Sequence, residues 1–153
     1  MTGGWRTWVI VLGMIVVASA SYSLARYWQD RDSHYRRLAP VANCDLHAGP
    51  CRAALADGEV ELSISPRAIP LMTPLQIAVS VSGLDAAAVV VEIRGLNMDM
   101  GLNRVRLQHV DGVWRGETIL PVCSQRRMEW EAAVRLDAGG SYELPFVFWT
   151  TRP

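Results

Sequence analysis

From Gly58 to the C-terminus, apolar and polar residues alternate with a period of two, and turn-forming residues interrupt the pattern at short intervals. A period of two places successive side chains on opposite faces, which suits a half-buried strand and not a helix. Glu59–Ser65 puts Val60, Leu62 and Ile64 on one face. Pro66, Pro70 and Pro74 exclude helix from the loop that follows. Leu75–Ser82 gathers Ile77, Val79 and Val81, and Gly83–Asp85 turns the chain. Ala88–Arg94 sends Val89, Val91 and Ile93 inward and Glu92 and Arg94 outward. Asn103–Val110 is the fourth strand, and Asp111–Gly112 predicts a tight hairpin into Val113–Leu120. Met128–Leu136, the Gly139–Gly140 turn and Tyr142–Thr150 complete the series. Seven short strands spaced by about ten residues predict an all-β domain over 58–151, an immunoglobulin-like β-sandwich. Trp130, Phe146 and Phe148 are its expected core, Trp114 and Trp149 have no assigned face, and Glu129 and Glu131 are expected to be solvated.

The N-terminus sets the compartment. A tail over 1–7 precedes residues 8–25, which run 18 residues without a charge. Trp8, Val9, Ile10, Val11, Leu12, Ile15, Val16 and Val17 make up its apolar body. At 1.5 Å per residue such a helix just crosses a hydrocarbon core of roughly 30 Å. Trp5, Trp8, Tyr22, Tyr27 and Trp28 stand at its two ends, where interfacial aromatic residues belong. Ala18–Ala20 also fits the cleavage site of a signal peptide, but the apolar run continues past it. The expectation is therefore a single-pass signal anchor in a bacterial inner membrane, with the C-terminal domain in the periplasm. Arg26, Arg31, Arg36 and Arg37 after the span argue for the opposite topology. The short preceding tail and the cysteine pattern outweigh them.

Residues 26–57 form a polar spacer, with His34 as a solvated spacer residue. Within it, Cys44 and Cys51 flank His47 and the Gly49–Pro50 turn, a spacing that closes a small disulfide loop in an oxidising compartment. A three-ligand Cys-x2-His-x3-Cys metal site and a redox-active pair are the alternatives. With three cysteines in the chain, at least one thiol remains after any internal pairing.

The net charge is zero, and from Cys44 onward 10 arginines face 13 carboxylates. That balance excludes the clustered positive charge of a nucleic-acid binder. No phosphate loop or nucleophile motif is present, so an enzyme is not expected. The unusual segment is Gly95-Leu-Asn-Met-Asp-Met-Gly-Leu-Asn103. Thioether sulfur is a soft ligand, and linear or trigonal Cu(I) needs only two or three of them. Met98 and Met100 are the first candidates, and Cys123 and Met128, from the turn between the fifth and sixth strands, are the co-ligands. Each also has an ordinary reading as loop packing, inert thiol or core filler. His109 is read as a surface residue of its strand.

The Gly-x-Asn-Met-x-Met-Gly loop, the Asp-Gly-x-Trp-x-Gly hairpin and the x-Met-x-Trp segment together resemble the periplasmic, membrane-anchored FixH and YtkA-like families. Met98, Met100, Gly101, Gly112, Trp114, Gly116, Met128 and Trp130 carry the resemblance, which covers roughly residues 58–150 and the anchor. It implies an immunoglobulin-like sandwich, copper as cofactor, and a part in copper delivery or respiratory oxidase assembly. The implied partners are the membrane and an oxidase subunit or copper protein. Cys123 and the Cys44–Cys51 loop depart from the family pattern. A membrane-tethered interaction module without metal is the alternative.

Overall fold

The computed structural model describes residues 3–32 and 35–152, which form two units divided between His34 and Tyr35. The first is one helix, α1 (Gly3–Asp32). Residues Thr7–Tyr27 are long and apolar enough to cross a membrane, with a mean hydropathy of 2.0. Its described side chains are exposed, and the Ser19 hydroxyl donates back to the Ile15 carbonyl at 2.7 Å. The helix runs beyond the expected 8–25, because the polar residues 26–32 still complete backbone bonds of the same helix. The side chains of Trp5 and Trp28, and the whole of His34, lie outside the described residues.

The second unit is the predicted β-sandwich, with ten strands: β1 (Arg36–Arg37), β2 (Cys51–Leu55), β3 (Gly58–Ser65), β4 (Pro74–Ser82), β5 (Ala88–Gly95), β6 (Asn103–Arg106), β7 (Gln108–Val110), β8 (Val113–Ile119), β9 (Arg127–Asp137) and β10 (Ser141–Thr151). One sheet has the order β1-β10-β9-β5-β6 and the other β2-β3-β4-β8-β7. All pairings are antiparallel except that of β1 with β10. The predicted strand 103–110 is split. Leu107 is buried and donates its N–H to the Val89 carbonyl in the first sheet, and the next residues pair with β8 in the second. Residues 36–55 are not all spacer, since β1 and β2 extend the two sheets. Asp111 and Gly112 have φ of 51° and 79°, the pair of positive values that a two-residue hairpin requires.

The inward residues read from the alternation make one core, from Val60 and Leu62 across to Trp130, Phe146 and Phe148. Trp130 donates its indole N–H to the Thr150 hydroxyl at 2.9 Å, so its polar atom is not stranded. Trp114 packs half-buried against this core, while Trp149 stands on the outer face.

That outer face corrects the reading of the carboxylates. Glu131 is only 3% exposed, and Glu92 and Glu143 are buried beside it. A strand pattern shows which face a residue takes but not what covers that face. Here the cover is arginine. Arg94 and Arg37 both bond Glu131 at 2.7 Å, and Arg37 also reaches Glu143. Arg135 joins Glu143 and Glu92 at 2.7 Å each, and Arg104 bonds Glu92 at 2.6 Å. Four guanidinium groups and three carboxylates thus alternate across all five strands of the sheet. Every buried carboxylate has two cationic partners, the condition under which a buried charge is tolerated. Burial pushes Glu143 up, but hydrogen bonds from Arg135 and Arg37 outweigh it and hold this carboxyl below the usual range. Glu129, on the same strand face, remains exposed as expected.

Candidate functional site

The strand order decides which loops meet. β5 ends at Gly95 opposite Trp130, β9 begins at Arg127, β10 ends at Thr151, and β8 ends at Ile119 opposite Pro74. Loops 96–102, 120–126 and 66–73 therefore share one pole of the sandwich. The chain enters the unit at the other pole, where the Tyr35 hydroxyl meets Asp137 at 3.3 Å.

The methionine loop is held by the residues that alternate with its sulfurs. Asn97 accepts from Glu129 N–H at 3.1 Å and donates to the Arg127 carbonyl at 3.0 Å. Asp99 accepts from Gly101 N–H at 2.9 Å, a local turn typical of aspartate. Asn103 donates to Thr118 at 2.7 Å and closes the loop. The reading of the sequence passed over Asn97 and Asp99, although Asn and Asp at alternate positions between glycines are a turn signal. Gly95 is required at the start, since a Cβ there would collide with the Met98 carbonyl oxygen and the Met128 methyl group.

The four sulfur candidates occupy three environments. Met98 is 36% exposed, and Ser124 Oγ lies 3.9 Å from its Sδ, which brings the 120–126 loop against the methionine loop. Met100 is half-buried and packs against the core. Cys123 is the neighbour of Ser124 in sequence; its thiol is free, 8% exposed, and directed at the Gln125 carbonyl at 3.7 Å. Met128 is 1% exposed beneath Gly95, where it supports the loop from the core side. Met98 is thus the accessible thioether of the set, and Met128 would have to leave the core to serve as a ligand. Among the described residues no group of three or more His, Cys, Asp or Glu is placed to hold a metal ion.

Cys44 and Cys51 form a disulfide with an S–S distance of 2.11 Å. This agrees with the structural reading of the pair and withdraws both thiols from the alternative metal site with His47. His109 stacks on Trp114 at 4.9 Å near the β7–β8 turn, at the far end of β8 from the methionine loop.

One property of the pole was not read from the sequence. In the sandwich unit, Met72, Leu96, Met98, Leu102, Ile119, Val122 and Trp149 are exposed large apolar side chains, and all lie at this end. Only Val110, at the opposite hairpin, is comparable among the described residues of this unit. These residues are scattered over five segments, so no single stretch reveals them as a patch.

No family model and no curated protein matches this chain. Among solved structures, a DUF4426 family protein from Pseudomonas aeruginosa PAO1 is similar at 12% identity and a TM-score of 0.43, over 69% of this chain and 95% of that one.

Proposed function

We propose that this chain is a membrane-anchored accessory protein of the periplasm, not an enzyme, whose β-sandwich binds Cu(I) at the methionine pole. In this reading α1 is an uncleaved anchor in a bacterial inner membrane. Met98 and Met100 are the primary ligands, Cys123 from the adjoining loop is the candidate third, and Met128 is a reserve ligand that now packs in the core. The observation that carries the reading is the approach of loop 120–126 to the methionine loop, with Ser124 Oγ 3.9 Å from Met98 Sδ. Separation of the two loops by the length of the sandwich would have removed it. The donor set fits the ion, because thioether and thiolate prefer Cu(I) and two or three such ligands suffice. The resemblance to FixH and YtkA-like proteins points the same way. It makes a respiratory oxidase subunit or a copper protein the partner in metal delivery.

The test is Cu(I) titration of the full chain in detergent with ascorbate, which leaves the Cys44–Cys51 bridge closed. One ion per chain is expected, and the double variant Met98→Leu, Met100→Leu is expected to weaken binding at least about tenfold, ~1.4 kcal/mol. Unchanged affinity in the double variant would refute the reading.

The exposed apolar side chains around the same pole favour a second reading, a docking module in which Met98 is an adaptable apolar contact. A photo-crosslinker at Leu102 in native membranes distinguishes the two. Adducts that persist in a copper chelator and in the double Leu variant favour docking without metal.

A further inference from the structure

The ring of His47 lies between two backbone carbonyls. Its Nδ1 is 2.8 Å from the Arg67 oxygen and its Nε2 is 2.7 Å from the Trp149 oxygen. The disulfide and the turn inside it hold the ring in place. Asp45 accepts from His47 N–H at 3.0 Å through its carboxylate, and from Ala48 and Gly49 N–H at 3.0 and 3.1 Å through its carbonyl. The ring also lies on the Trp149 indole, with centroids 4.5 Å apart.

A carbonyl oxygen only accepts. A neutral imidazole has one N–H and one lone pair, so it can satisfy one of these carbonyls while its lone pair faces the other. Only the imidazolium donates to both. An indole face within this distance also favours the cation. The charged groups nearby act in both directions. Asp45 belongs to the same loop, the Arg67 residue is itself one of the acceptors, and the Arg127 guanidinium lies 4.7 Å from the Trp149 ring centroid.

We propose that His47 is a proton-operated clasp. As imidazolium it ties the disulfide loop to loop 66–73 and to the end of β10, and as neutral imidazole it releases one of the two ties. The three segments are far apart in sequence, 20 and 102 residues from His47. Two of them border the methionine pole. Loop 66–73 reaches residue 120 through the bond from Met72 N–H to the Leu120 carbonyl, and Trp149 touches Arg127 at the start of β9. Release therefore loosens the frame around that pole, whether or not the pole binds metal.

The experiment uses the full chain in detergent micelles, with histidine labelled with 15N in the ring and His47 assigned by its loss in His47→Gln. Where the ring is protonated both His47 nitrogens should give N–H signals shifted by hydrogen bonding, and where it is neutral only one should. Thermal melting followed by near-ultraviolet circular dichroism should fall by about 4 to 8 °C relative to His47→Gln between the pH at which both ring N–H signals are present and the pH at which one is lost. His47→Arg, a permanent cation with several donors, should abolish that difference while keeping the higher melting temperature. A neutral His47 tautomer at every pH between 5 and 8, or parallel melting profiles for wild type and His47→Gln, would overturn the proposal. If His47→Gln does not fold, the ring signals of the wild-type chain decide alone.

Discussion

Replacing Glu143 by Gln tests whether the arginine–glutamate ladder holds the sandwich together. Glu143 is buried, and it accepts from Arg135 Nε at 2.7 Å and from Arg37. Glutamine keeps one acceptor oxygen but turns an amide N–H2 group towards a guanidinium, so one charge-assisted bond is lost and two donors face each other. A hydrogen bond to a charged group contributes about 1.5–3 kcal/mol. The Arg135 side chain is 17% exposed and retains most of that, whereas Arg37 is 41% exposed and its share falls towards the few tenths of a surface pair. The expected loss is about 2 kcal/mol, or roughly 8 °C in Tm for a unit of this size. The sign with pH is also fixed. Glu143 is held below the ordinary carboxylate range, so its stabilising contribution is present above about pH 4.3 and is lost as pH falls through its lowered folded-state value. The gap between wild type and Glu143→Gln should thus be widest near neutral pH and narrow progressively as pH falls below about 4.3. Near-ultraviolet circular dichroism of the full chain in micelles follows the packed Trp130 through melting. A variant within about 0.5 kcal/mol of wild type at pH 7, or with an undiminished acid transition, would refute the reasoning.

Other substitutions probe the remaining supports. Phe146→Ala removes a fully buried ring from the centre of the core and should cost about 3–5 kcal/mol, read as a fall in urea midpoint at constant slope. Joint replacement of Cys44 and Cys51 by serine opens a loop with a sequence separation of 7 and should cost about 2.5 kcal/mol, measured against wild type without reductant. Gly95→Ala should leave the sheets folded but displace loop 96–102, because the added carbon meets the Met98 carbonyl. Faster amide exchange at Leu96, whose N–H bonds the Glu129 carbonyl, is the readout.

Local patterns determined a large part of this protein. Alternation such as Val60-Glu61-Leu62 depends only on successive side chains pointing to opposite faces, so β3, β4, β5, β8, β9 and β10 and their core residues were legible, whereas β1 and β2 were not. Asp111–Gly112 specified its own turn through backbone torsion preferences, and the charge-free run after Thr7 specified a helix that can cross a membrane. Cys44 and Cys51 were close enough in sequence for their pairing to be expected.

What required the tertiary structure was every relation between segments distant along the chain. The alternation placed Glu131 on the outer face, but its burial follows from Arg37 and Arg94, which arrive from β1 and β5. The split at Leu107 follows from competition between β5 and β8 for one segment, a choice no local preference contains. The meeting of Met98 with the Cys123 loop is a consequence of strand order, because β9 and β5 pair with their Arg127 and Gly95 ends at the same pole. His47 was read only against its near neighbours Cys44 and Cys51, yet its partners are carbonyls at Arg67 and Trp149. Backbone carbonyls have no sequence signature, so the contacts that define this histidine appear only once the two sheets are stacked.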